Sequence, residues 1–325
     1  MKSVISRRDL LSFAAGAAAL PASPRTAFAL DYPTRPVHVI VDVPAGLSPD
    51  VVARLIGPAL SSRLGQQFIV EDKPGAGGNI GAEYVVRAAP DGYTILLVIS
   101  GNAASGALYP NLDFNFVRDI APVAFLGYTP FVIVVNPSVP AKSLAELIAY
   151  AKANPGKLNL ASPGVGTAPH LAFELFRMMT GVDIVHVPYR TPFMPDLLGG
   201  HVQLAFVAAA AVLGYIRSGK LRALAVTGAK RMQALPDVPA VDETVRGYEG
   251  SGWLGVGAPK GTPAPIIDAL NQAVNSVIAD PALKARFSTL GIEEEPMTPA
   301  QFGSLIADAS VKWEKVIKFA NIKAG

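Results

Sequence analysis

The chain has 325 residues and no cysteine. That excludes a disulfide scaffold, a cysteine-ligated iron–sulfur cluster and a thiol nucleophile. Metal-ligand spacing is missing too: His38, His170, His186 and His201 are dispersed, and no His-Glu-x-x-His occurs. There is no Gly-Lys-Ser/Thr phosphate loop and no G-x-S-x-G elbow. The glycine-rich "GAGGNIG" fails as a dinucleotide fingerprint, because Ile80 stands where the third glycine belongs and Lys73-Pro74 precede the run. Gly164-Val165-Gly166 fails likewise at Pro169. No cofactor and no metal are expected. After residue 29 no apolar run reaches the ~18 residues of a membrane span.

The first 29 residues differ from the rest. A charged start precedes the apolar stretch Leu10 to Leu20, and Ala27-Phe28-Ala29 forms an A-x-A cleavage pattern. This reads as an export signal, with mature protein starting near Leu30 in the periplasm. Ser6-Arg7-Arg8-Asp9-Leu10-Leu11 adds a twin-arginine pattern, although an ordinary export signal can also hold two arginines. The segment carries Lys2, Arg7, Arg8 and Arg25 against Asp9, so its removal changes 28 basic and 25 acidic residues to 24 and 24. No basic stripe remains for nucleic acid or a membrane surface.

Strand-like and helix-like patterns then alternate. Val37 to Val43, Gln67 to Glu71, Tyr93 to Ile99, Phe131 to Val135, Leu158 to Ala161, Ile184 to Val187, Val202 to Phe206 and Leu221 to Val226 read as strands. Trp253 to Pro259 reads as a crossing segment. Helices are signalled by the capping boxes at Ser143 and Thr298, and by Ser48-Pro49-Asp50 with Ser48 as N-cap. Such alternation predicts an α/β fold with largely parallel sheets flanked by helices. The length predicts two sheets, with ligands bound beyond the carboxyl ends of strands.

Two strand–loop–helix turns stand out there: Pro44 to Asp50, and Ser162 to His170 ("SPGVGTAPH"). Both are rich in Gly and Pro and place a hydroxyl just before a helix. First-turn N–H groups lack internal partners and favour an anion, so two helix starts on one cleft can hold a carboxylate with neutral donors. The plainer reading is that Ser48 and Thr167 only cap their helices, Asp50 complements a helix dipole, and His170 is packed. Tyr189 and Arg190 can face the cleft or its rim, and Phe193 and Met194 can be pocket wall or core. Ser100 and Asn102 form a third candidate donor group.

"YPTRPVHVIVDVPAG…D…AR" (32–54), "VEDKPGAGGNIGAE" (70–83), "APDGYTILL" (89–97), "HLAFELF" (170–176), "HVPYR" (186–190), "DLLGGHVQLAF" (196–206), "GKLRALAVTGAKR" (219–231) and "LPDVPAVDE" (235–243) occur in order. Together they resemble the Bug family, the TctC-like periplasmic solute receptors of tripartite tricarboxylate transporters. The resemblance implies a monomeric two-domain Venus-flytrap protein of the periplasmic-binding-protein fold. Its parts would be 1–29 signal, 30–130 plus 253–325 as domain 1 and 131–252 as domain 2, with hinges near Gly127 to Pro130 and Gly250 to Gly252. It further implies a small carboxylate ligand and membrane permease subunits as partners. Carried onto this chain, the ligand loops correspond to Ala45, Gly46, Leu47, Ser48 and Asp50; to Ser162, Gly166 and Thr167, with His170; and to Ser100 and Asn102.

Three departures bear on the ligand. Leu47 replaces a family glycine, Thr191 to Pro195 with Phe193 and Met194 is bulkier than usual, and Val207 stands where an aspartate is common. They predict a more apolar cleft and a monocarboxylate with an apolar or aromatic remainder. A receptor feeding a sensor would share this fold. An exported enzyme would need a paired acid and base or an activated nucleophile, which the sequence does not display.

Overall fold

The computed structural model describes residues 31–189 and 191–323. The signal-like segment and Arg190 lie outside the described residues. Ten strands occur in the order β1 (Val37–Val41), β2 (Phe68–Asp72), β3 (Thr94–Ile99), β4 (Ile120–Thr129), β5 (Phe131–Val135), β6 (Asn159–Ser162), β7 (Val185–Pro188), β8 (Leu204–Ala208), β9 (Arg222–Val226) and β10 (Gly252–Pro259). They form two five-stranded sheets, ordered β2-β1-β3-β10-β4 and β7-β6-β8-β5-β9. In each, one strand near the middle runs against its neighbours: β10 in the first, β5 in the second. The sheets are therefore mixed, with the parallel strands meeting at β1 and β6.

The structure sharpens one sequence reading and adds a strand that it lacked. Trp253 to Pro259, where the chain crosses back to the first sheet, is itself a strand: β10 is buried along its whole length between β3 and β4. Its Gly255 and Gly257 leave space that Phe302 and Ile120 fill. Residues 120–129, to which no element is assigned from sequence, form β4 and include Pro122. The strand lies at the sheet edge and its register shifts there, and both features tolerate proline.

The longer helices are α1 (Ser48–Leu64), α2 (Asn79–Val86), α3 (Leu144–Ala153), α4 (Ala168–Thr180), α5 (Ala209–Arg217), α6 (Ala264–Ile278), α7 (Pro281–Leu290) and α8 (Pro299–Ala320). One face of the first sheet packs on α1, α6 and α7 through residues such as Val39, Ile56, Leu270 and Phe287. The other face joins a core continuous with the second sheet, built around Phe125, Phe173, Phe206 and Phe302. Helix α8 lies against both β4 and α4. Nearby, Lys312 Nζ meets Glu249 Oε2 at 2.8 Å, and Tyr248 Oη donates to the Ala172 carbonyl at 2.9 Å. Among the described residues no helix is long and apolar enough to cross a membrane.

Candidate functional site

The parallel topology brings the carboxyl ends of β1, β3, β6 and β8 around one cavity of about 630 Å³. Its wall takes Pro44 and Ser48 from the first turn, Ser100 from the third strand's end, and Gly166, Thr167 and Ala208 from the second sheet. Phe131 and Trp253, where the chain passes between sheets, complete it.

The two turns are built alike. Gly46 has φ 83 and Gly166 has φ 77, conformations that favour glycine. The next residues, Leu47 and Thr167, are extended, and the helices begin after them with Pro49 and Pro169 in the first turn. Gly46 N–H donates to Asp50 Oδ2 at 2.7 Å; Gly166 N–H donates to His170 Nδ1 at 3.0 Å. In each loop the side chain four residues on ties down the glycine amide. The backbone, rather than a hydroxyl, makes the turn.

This corrects the capping assignments. The N-cap of α1 is Leu47, not Ser48, because Gly46 completes the turn one residue earlier than the hydroxyl suggested. Ser48 is the first helical residue and its side chain is on the cavity wall. Thr167 is the N-cap of α4 by backbone, yet its Oγ1 donates to the Gly164 carbonyl at 2.8 Å instead of capping. Thr167→Val should therefore cost about 0.5–1.5 kcal/mol of stability, measured by urea denaturation. A loss near zero would mean that the hydroxyl does not brace the loop.

Several candidates stand behind the wall. Asp50 is buried, and Arg54 Nε approaches its Oδ1 at 2.6 Å while Arg54 Nη2 reaches Asp72 Oδ2 at 2.7 Å. Burial and the Asp50 charge push the Asp72 carboxyl up, against Arg54. His170 is buried with Nε2 3.4 Å from Glu174 Oε1. Since Nδ1 accepts from Gly166, the network assigns the proton of neutral His170 to Nε2. Burial opposes the charge of Glu174, but His170 and Arg177 hold its carboxyl below the usual range. His170 stacks on His186 with centroids 3.8 Å apart. Burial and His170 depress the His186 imidazole to about 4. His186 Nε2 lies 2.6 Å from Ser162 Oγ. That serine–histidine pair is no exposed nucleophile, because Ser162 is 0% exposed and absent from the wall.

Asn102 is also a brace: Oδ1 accepts from Ile99 N–H at 2.8 Å and Nδ2 donates to Asp42 Oδ2 at 2.6 Å. Ala45, Gly46 and Leu47 are exposed between the wall residues Pro44 and Ser48 and do not line the cavity, with Leu47 50% exposed. Tyr189, Phe193 and Val207 do not line the cavity. Tyr189 Oη donates to Asp196 at 2.7 Å and its ring meets Phe193 at 5.8 Å. Both rings and Val207 pack into the core on the far face of the second sheet. Strand alternation explains it: on β8, Ala208 faces the cavity and Val207 faces away. The apolar wall comes instead from Leu108, Phe131, Val165, Trp253 and Leu254.

Sequence reading missed Asp42, the glycine loop Gly75 to Gly78, and Tyr109. The loop was rejected as a nucleotide motif, although its glycines serve close packing. A Cβ on Gly78 would fall 2.7 Å from Asp42 Oδ2, and one on Gly77 would fall 2.5 Å from Tyr109 Oη. Asp42 was detectable as an acid ending an apolar strand. Burial raises its carboxyl from 3.8 to about 7, against the Asn102 hydrogen bond. Among the described residues of the wall it is the only one of Asp, Glu, Lys or Arg type.

The sequence model of the tripartite tricarboxylate transporter family receptor, TctC, matches residues 52–322. The chain belongs to that family. Protein BugT of Bordetella pertussis is 39% identical over 299 residues, covering 90% of this chain and 91% of that protein. Among solved structures, R. palustris Rpa4515 with adipate superposes with a TM-score of 0.77 at 35% identity, covering 90% of this chain and 99% of that one. MatC (Rpa3494) from Rhodopseudomonas palustris with bound malate gives 0.73 at 31% identity, covering 88% and 100%.

Proposed function

We propose that this chain is a periplasmic solute-binding protein that captures a small carboxylate for a tripartite tricarboxylate-type transporter. Its ligand is a monocarboxylate with an apolar or aromatic remainder. The observation that carries this reading is the pair of matched helix starts, α1 and α4, reaching one cavity from two sheets. Their first-turn amides, with Ser48 and Ser100, supply neutral donors to an anion. The rest of the wall is largely apolar and offers a second carboxylate no cation among the described residues. Relatives with adipate or malate support the carboxylate class.

On this reading residues 30–130 with 253–325 close against 131–252 about Gly127 to Pro130 and Gly250 to Gly252. Ala45, Gly46 and Leu47 then reach the ligand from the mouth. The protein acts as a monomer, exported by the segment 1–29, and delivers its ligand to membrane permease subunits.

A thermal-shift panel of hexanoate, benzoate, adipate, malate and amino acids tests it. A ligand at ~100 times its dissociation constant should add about 2.7 kcal/mol of stability. Hexanoate or benzoate should shift the midpoint most. No shift with any carboxylate sinks the reading; tight binding of malate alone sinks the apolar remainder.

A further inference from the structure

Asp42 poses a problem that the carboxylate site does not resolve. It directly follows β1 at 1% exposure, on the wall of a cavity meant for an anion. Its Oδ2 accepts from Asn102, and its Oδ1 has no hydrogen-bond partner among the described residues. Among the described residues no cation is paired with it. Lys73, just past β2, turns its ammonium to Glu71 at 3.4 Å and over the Tyr84 ring at 4.3 Å. Arg54, on α1, is taken by Asp50 and Asp72. The start of α2 presents Gly78, Asn79 and Gly81, the turn after β3 presents Ser100 and Asn102, and Tyr109 contributes a phenol near Gly77. The side chain has little freedom to leave: a Cβ on Gly81 would fall 2.7 Å from Asp42 Cβ.

A buried carboxylate without a cation is strongly disfavoured, and a second anion in the same cavity adds like-charge repulsion. Ligand and Asp42 are therefore limited to one negative charge between them. Resting on the carboxylate-receptor reading, we propose that Asp42 couples ligand capture to proton uptake: it is neutral whenever a carboxylate is bound.

The direction follows from the empty cavity. Burial already holds the Asp42 carboxyl near 7. Below that pH the residue enters neutral and affinity is flat. Above it each bound ligand must bring a proton, and the dissociation constant rises about tenfold per pH unit. His186, depressed to about 4, is already neutral across this window.

The experiment is isothermal titration of the full mature protein with hexanoate and with adipate, at pH 6 and 8.5, in two buffers of different ionisation heat. Hexanoate should bind about 30-fold more weakly at pH 8.5 than at pH 6, with close to one proton taken up at the higher pH. Asp42→Asn should flatten the pH dependence to within about twofold. The proton count on wild type stands without the variant. Zero proton uptake at pH 8.5, or an unchanged slope in Asp42→Asn, overturns the proposal while leaving the carboxylate receptor intact. Failure of both acids to bind either protein at any pH overturns the carboxylate reading, and this inference with it.

Discussion

Phe302→Ala should lower the unfolding free energy by about 3–5 kcal/mol, read by urea denaturation followed by circular dichroism. The ring is fully buried on α8 and lies 5.6 Å from the centroids of both Phe125 and Trp253. It covers Gly255 of β10, where an added Cβ would collide with the ring and sit 2.8 Å from the Ala124 carbonyl. Gly255→Ala should thus be destabilising by itself, and less so once Phe302 is alanine, because the methyl then enters the vacated space. The two losses should be sub-additive. A Phe302→Ala cost under about 1 kcal/mol would mean that the ring is not packed as described. Trp253 also lines the cavity, so loosening this cluster should weaken ligand binding as well.

Wild type should lose about 3 kcal/mol between pH 4 and pH 7 relative to Asp42→Asn. The Asp42 carboxyl is raised from 3.8 to about 7 by burial. Between those values the native state holds a proton that the unfolded chain has released, so stability falls as pH rises. The contribution is fully present below the unfolded value and gone above the folded one. The variant carries its own cost, since the new amide leaves a buried donor without a partner, about 1–3 kcal/mol at every pH. Asp42→Asn should therefore be less stable than wild type at pH 4 and more stable at pH 8. His186 works in the opposite direction, losing stability as pH falls below 6.5, but it is common to both proteins and cancels in the difference. Parallel curves at pH 4, 6 and 8 would sink the prediction.

Much of the architecture is legible in local pattern. Apolar runs of strand length alternate with helical spacing, and both turns announce themselves by Gly and Pro before a helix. The errors arise where tertiary packing decides. Gly255 and Gly257 weaken a strand pattern and are compensated only by Phe302 and Ile120 from elsewhere in the chain. Pro122 interrupts β4, and only its edge position makes that tolerable. At the site, the hydroxyls of Ser48 and Thr167 suggested caps, whereas the αL glycines and the acceptors Asp50 and His170 make the turns. Val207 and Ala208 differ by one position on a strand, so an error of one exchanges wall for core. Asp42, Tyr109 and Trp253 come from three stretches of chain that meet only through the strand order. Leu47, the clearest departure from the family's glycine, is exposed and does not line the cavity.

The position of α8 has a mechanical consequence. It follows the strands of the first sheet, yet it rests on α4, whose entry loop places Gly166 and Thr167 on the cavity wall. Any rotation of one sheet against the other must shear the α4–α8 contact and load the Lys312–Glu249 pair. In the closure proposed above, the two strand crossings would be pivots working against a spring. Its stiffness would set how firmly the jaws grip and how readily they let go.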